Sequence, residues 1–151
     1  MTTILPLSRA TLQDAALLIR NLRTAMSGKI VCSVEEVSQV LSEALQYGPY
    51  RGFVAYGTAG GLQGYIGVDA RFAIYAGGHF LQVTELFVQP EARRKGVART
   101  LLASIENMAQ FEGGSAIEIG APDAGKHPGT AAFYENQGYR IVGPRFSKSL
   151  K

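Results

Sequence analysis

Apolar positions recur at helical spacing twice in the first third of the chain. In "TLQDAALLIRNLRTA", Leu12, Ala15, Ala16, Ile19 and Leu22 share one face of a 3.6-residue period, which predicts a helix with Thr11 as N-cap and Asp14 reaching back to it. Ser33 to Glu36, "SVEE", is a capping box, and Val34, Val37, Val40, Leu41, Ala44 and Leu45 continue one face until "YGP" stops the second helix. From Arg51 the pattern changes to that of strands. "GFVAYG", "LQGYIGVDARFAIY" and "FLQVTELFV" are rich in aromatic and β-branched residues and are separated by "TAGG" and "AGGH", so they predict three successive antiparallel strands. A third helix follows in "GVARTLLASIENMAQF", striped by Val97, Leu101, Ile105 and Met108 and closed by "EGG". Then come a strand "AIEI", a short helix "TAAFYENQ" starting at Thr130 and ended by Gly138, and two final strands near "YRIV" and "RFSKSL". With the short apolar run "TILPL" that opens the chain, the predicted order is β-α-α-β-β-β-α-β-α-β-β, an α/β (α+β) arrangement with a central, mostly antiparallel sheet flanked by helices.

Composition narrows what such a chain does. At 151 residues, 46% apolar and 18% charged, it has the make-up of one globular domain, 1–151, and lacks that of a disordered or collagen-like chain. The net charge of +3 is too small to imply a nucleic-acid partner by itself, although it suits a small anion. Cys32 is the only cysteine, which rules out an intrachain disulfide. "MTTILPLSRA" lacks the pattern of a signal peptide and no apolar run reaches the length of a membrane span, so a cytoplasmic protein without membrane contact is expected.

Two loops are candidates for holding phosphate. In "GAPDAGKHP", four residues separate Gly120 from Gly125 and Lys126 follows, as in a nucleotide-binding loop. Such a loop needs a Mg²⁺-binding hydroxyl after the lysine and a helix that starts there, but the chain has His127 and then Pro128. The plain reading, a strand-to-helix connection, is preferred. The stronger candidate is "ARRKGVARTLL", residues 92–102, between a strand and an amphipathic helix. Gly96 and Ala98 leave room for main-chain N–H groups to meet a ligand, the helix start attracts an anion, and Arg93, Arg94, Lys95 and Arg99 add positive charge. Taken alone, four cations at a helix start also fit a solvated turn.

The surrounding residues extend this loop into a family pattern. Arg93, Arg94, Lys95, Gly96, Val97 and Ala98 fit the phosphate-loop pattern Gln/Arg-x-x-Gly-x-Gly/Ala, and the chain resembles the GNAT family of N-acetyltransferases there. The resemblance extends to "ELFVQPEAR" before the loop, to "AAFYENQGYRIVG" after it, and to the order of elements from end to end. It implies a GNAT-like single domain that moves acetyl from acetyl-CoA to a primary amine, with a small molecule favoured and a protein amine left open. Acetyl-CoA is the cosubstrate and no metal is called for. The family alternative is a non-catalytic sensor that binds acetyl-CoA. A homodimer is also left open.

The resemblance also assigns residues. Main-chain groups from Arg94 to Arg99 would hold the CoA pyrophosphate, while Leu86, Phe87 and Val88 would offer free backbone to pantetheine and the acetyl carbonyl. Tyr134 matches the family's general acid, which protonates the departing thiolate. Glu85 is the candidate to bind the amine or take its proton; with regular alternation it shares a face with Val83 and Phe87, and the competing reading is a solvated or ion-paired strand acid. His127 stands where many members have Asn. Tyr47, Tyr50, Phe72 and Tyr75 are candidates to line an acceptor cleft, or else core aromatics.

Overall fold

The computed structural model describes residues 1–120, 127–143 and 145–151. They divide into two compact units, Met1–Gly120 and Ala121–Lys151. In the first unit the order is β1 (Thr3–Pro6), α1 (Leu12–Ser27), α2 (Val34–Gln46), β2 (Tyr50–Tyr56), β3 (Leu62–Ala73), β4 (Gly78–Val88), α3 (Val97–Phe111) and β5 (Ile117–Ile119). A short 3-10 turn, Pro90–Ala92, joins β4 to the loop before α3. The strands form one sheet in the order β1-β2-β3-β4-β5, antiparallel throughout except for the parallel pair β4 and β5.

The helices bury most of their predicted stripes against the two faces of this sheet, with Leu18 and Leu102 added to the expected positions and Ile19, Leu22 and Met108 only half-buried. Leu12, Ala15, Ala16 and Leu18 of α1 and Val37 and Leu41 of α2 pack with Val54, Tyr65 and Phe87. On the opposite face Val97, Leu101, Leu102 and Ile105 of α3 are buried, and Leu101 comes against Gly64, the neighbour of Tyr65. Each fully buried aliphatic side chain contributes about 2 kcal/mol relative to exposure, so these stripes, rather than helix propensity, hold the helices in place. Val40 and Leu45 of α2, expected in the stripe, are exposed because this outer helix buries only a narrow seam. Arg51 of β2 makes a bidentate pair with Glu112 just beyond α3, tying that helix end to the sheet.

Local signals succeeded unevenly. Ser33 caps α2 as predicted, its Oγ accepting from the Glu36 amide at 3.1 Å. Thr11 occupies the N-cap position of α1 without capping it. Its hydroxyl donates to the Pro6 carbonyl and accepts from the Ser8 amide, while Asp14 accepts the Tyr56 hydroxyl at 2.6 Å. Burial and that bond push the Tyr56 phenol up to about 12. Tertiary partners have displaced the local box. Among the described residues no helix is long and apolar enough to cross a membrane.

In the second unit α4 spans Pro128–Asn136. It begins two residues before the expected Thr130, since proline has no amide to leave unbonded at a first helical position and its fixed φ suits one. Gly138, at φ 92, follows its end as predicted. The two strands expected near "YRIV" and "RFSKSL" are not present among the described residues. β-branched and aromatic content marks a chain that can join a sheet, but a strand exists only where a neighbouring backbone completes its ladder. Most of the loop "GAPDAGKHP", residues 121–126, lies outside the described residues.

The sheet carries one row of very small residues. Gly52 lies opposite Gly67, and Gly67 opposite Glu85. A Cβ at Gly52 would overlap the Tyr65 hydroxyl, and one at Gly67 would overlap the Tyr50 hydroxyl and Glu85 Oε1. Tyr65 is fully buried and has nowhere to retreat. Gly52→Ala is therefore expected to destabilise the fold by about 2 kcal/mol, the usual cost of overpacking, read as a lower urea midpoint with an unchanged slope.

Candidate active site

β4 is paired with β3 along almost its whole length, but with β5 only at Leu81, Gln82 and Val83. Beyond Val83 its second edge is open among the described residues. The Gln89 amide donates to the Gln63 carbonyl at 2.8 Å, which fixes the phase of the ladder. By antiparallel alternation Phe87 and Glu85 then exchange their backbone bonds with Tyr65 and Gly67, while Leu86 and Val88 turn theirs to the open edge. Of the three positions singled out from sequence, Leu86 and Val88 thus present backbone outward. Phe87 spends its backbone on β3 and its ring on the core.

The loop after β4 completes a run of free donors. Arg93 is extended, Arg94 is left-handed at φ 62, and Gly96, at φ 81, is the N-cap of α3. A left-handed non-glycine residue costs roughly 1 kcal/mol, and the fold holds Arg94 there. Among the described residues the amides of Arg94, Lys95, Gly96, Val97, Ala98 and Arg99 donate to no protein acceptor. Consecutive free amides ahead of a positive helix end form a site for phosphate. The side chain of Val97 is buried and anchors the helix start, whereas Arg94, Lys95 and Arg99 are exposed. Arg93 behaves differently from the other three. Its Nε donates to the Val88 carbonyl at 3.0 Å and its guanidinium lies 5.7 Å from the centre of the Phe87 ring, so it straps the loop to the end of β4.

Glu85 lies on the α1 and α2 face of the sheet. The register places Glu85 opposite Gly67 and Val83 opposite Val68, so Thr84 is an extra residue, a β-bulge. The bulge overturns the expected sharing of a face between Glu85 and Val83: Glu85 keeps company with Phe87, and Val83 looks the other way. Nor is its carboxylate surrounded by hydrocarbon. Oε1 accepts the Tyr50 hydroxyl at 2.6 Å and the Thr84 hydroxyl at 2.7 Å. Tyr50 and Tyr65 are joined through their hydroxyls at 2.8 Å. The single Tyr50 proton goes to Glu85, which leaves Tyr65 as donor to Tyr50. Burial, reinforced for Tyr50 by Tyr65 and Glu85, pushes both phenols well above their ordinary range. Asp69, two residues along β3 from Gly67, has a buried Oδ1 without a hydrogen-bond donor among the described residues.

The proposed aromatic cleft divides. Tyr47 and Tyr50 line a cavity of about 300 Å³ with Leu45 and Phe53. Phe72 and Tyr75 lie toward the far end of the β3–β4 hairpin, exposed, with Phe72 against the His79 ring and the Tyr75 hydroxyl donating to Glu118. Phe72 is five residues beyond Gly67, roughly 16 Å along the strand at about 3.3 Å per residue. Sequence reasoning missed Tyr65 and Thr84. The signal for Tyr65 was present, because Gly52 and Gly67 interrupt strands where only a close approach justifies glycine; nothing in the sequence marked the bulge.

In the second unit Tyr134 lies on α4, its ring 5.7 Å from that of Phe133 and 6.2 Å from that of Tyr139. Burial raises its phenol above the ordinary value. His127 is exposed at the N-cap position of α4 and its side chain makes no capping bond.

Comparison with known proteins bears on the family and the fold. The acetyltransferase (GNAT) domain profile matches residues 25–149. A possible acetyltransferase from Clostridium difficile 630 superposes with a TM-score of 0.82 at 18% identity, over 100% of this chain and 99% of that one. An aminoglycoside N-acetyltransferase solved in complex with CoA gives 0.83 at 16% identity, over 100% and 96%. A ribosomal-protein-alanine N-acetyltransferase from Brucella melitensis biovar Abortus 2308 gives 0.77 at 16%, over 100% of both chains. Among proteins of curated function none matches the chain. The structural likenesses establish a shared fold, and with the family profile spanning most of the sequence, the chain belongs to the GNAT acetyltransferase family.

Proposed function

We propose that the whole chain, 1–151, acts as one acetyl-CoA-dependent N-acetyltransferase that acetylates a primary amine, with a small molecule as the favoured acceptor. The observation that carries this reading is the run of amides from Arg94 to Arg99 that, among the described residues, meet no acceptor, directly after a strand whose outer edge is open among those residues beyond Val83. Six donors in sequence fit a diphosphate, and the outward backbone of Leu86 together with the Val88 amide fits an extended amide-bearing chain leading from it, the Val88 carbonyl being held by Arg93. Acetyl-CoA, when bound, supplies the activated thioester.

The chain's own groups divide the remaining work. Backbone N–H groups on the open edge of β4 orient the acetyl carbonyl and stabilise charge that develops on its oxygen. Exposed Arg94, Lys95 and Arg99 add long-range attraction for phosphate, which salt weakens. Glu85 holds the incoming ammonium and accepts its proton, directly or through water, so that a neutral nitrogen attacks. Tyr134, kept protonated by burial, donates its proton to the departing sulfur. Support for the Tyr134 role comes from its place in "FYENQGY" and from its raised phenol. Two of the similar acetyltransferases are named for an aminoglycoside and a ribosomal protein, two very different acceptors, and the carboxylate on a sheet face favours a small cation.

A panel of putrescine, spermidine, kanamycin and an alanine-initiated peptide, read by release of free CoA, tests the activity. Turnover with one of these is expected; acetyl-CoA binding without turnover would instead identify a sensor, and no binding by calorimetry would remove the phosphate-loop reading. Tyr134→Phe is expected to lower kcat by about a hundredfold, the usual scale of general acid catalysis, with acetyl-CoA affinity retained. Glu85→Gln is expected to lower kcat/KM for the amine by a similar factor; a normal rate and normal amine KM would remove Glu85 from the mechanism.

A further inference from the structure

We propose that Tyr50, held by Tyr65, is a positioning residue for the acceptor amine: together with Thr84 it occupies Oε1 of Glu85, so that the amine meets Oε2 alone. This rests on the amine-binding reading of Glu85 given above. Oε1 receives two hydroxyl donors, from Tyr50 and Thr84. Oε2 accepts no hydrogen bond among the described residues, and it is not among their buried unpartnered atoms. The two oxygens of one carboxylate therefore have different tasks.

The arrangement is built into the sheet. Gly52, Gly67 and Glu85 form one row across three strands, with the row of Val54, Tyr65 and Phe87 on one side and Tyr50 on the other. Because two members of the row lack side chains, Tyr65 leans over Gly52 and Tyr50 leans over Gly67, and their hydroxyls meet above the gap. Phenylalanine at both places would fill most of the same space without desolvating two hydroxyls, a cost met only when each finds a partner. Here the partners run in one direction, from Tyr65 to Tyr50 to Glu85. The raised Tyr50 phenol stays protonated at working pH and is a permanent donor.

The effect on an amine follows. A free glutamate loses rotamer freedom when it binds a ligand, whereas Glu85 has lost it beforehand. One available oxygen suits the point donor of an ammonium better than a planar guanidinium, which is matched to both oxygens of a carboxylate.

The test is a double-mutant cycle on the full chain, using the panel amine turned over fastest. Tyr50→Phe is expected to lower kcat/KM for that amine by about tenfold, the scale of one hydrogen bond to a charged group, mostly through amine KM, with acetyl-CoA KM unchanged. In a Glu85→Gln background the same substitution is expected to cost little more. A full additional tenfold loss in that background, or no loss in the wild type while Glu85→Gln is impaired, overturns the proposal and leaves the reading of Glu85 intact. Full activity of Glu85→Gln overturns both. Should Tyr50→Phe fail to fold, Thr84→Ala removes the other donor to Oε1, and the same cycle with Glu85→Gln separates the coupled outcome, which supports the proposal, from the additive one, which overturns it.

Discussion

The pairing of β4 governs the site. This strand is tied to β3 along nearly its full length and, among the described residues, to β5 over three residues only, so one edge is fixed and the other is left open beyond Val83. Backbone groups left unpaired inside a protein are ordinarily costly. Left at an open edge, they are donors and acceptors held in place by the ladder on the opposite side. The released edge runs directly into the turn at Arg94 and Gly96 and then into the free first turn of α3. One stretch of chain, from Glu85 to Arg99, therefore brings a strand carboxylate and a run of amides without protein acceptors among the described residues into sequence.

The bulge at Thr84 sets which chemistry faces which way. Without the extra residue, Glu85 and Val83 would share one face of the sheet. With it, Glu85 turns toward α1 and α2 and Thr84 puts a hydroxyl on its carboxylate. The glycines at 52 and 67 make the complementary space on β2 and β3. Four strand positions thus cooperate to place one oxygen pair, and none of them is a loop residue.

Legibility from sequence followed the range of the interaction. The helical stripes, the three antiparallel strands and the Ser33 cap are set within a few residues, and periodicity or spacing reveals them. Gly96 and the cations around it are likewise local, and their pattern picks out the loop whose amides have no protein acceptor among the described residues. Thr11, Asp14 and Tyr56 show the limit: a capping box was written in the sequence, but the partner that claimed Asp14 lies 42 residues away. The Tyr65–Tyr50–Glu85 chain spans three strands, and its register depends on a bulge that no single strand announces. The two expected final strands failed for a related reason, since side-chain type states a preference while a ladder requires a neighbour.

The strap made by Arg93 has a further consequence. Its guanidinium holds the Val88 carbonyl and covers Phe87, while its own backbone opens the turn that carries the free amides. A single side chain thereby links the end of a core strand to a surface turn. A displacement of the turn would therefore reach the strand terminus through one arginine side chain as well as through the main chain.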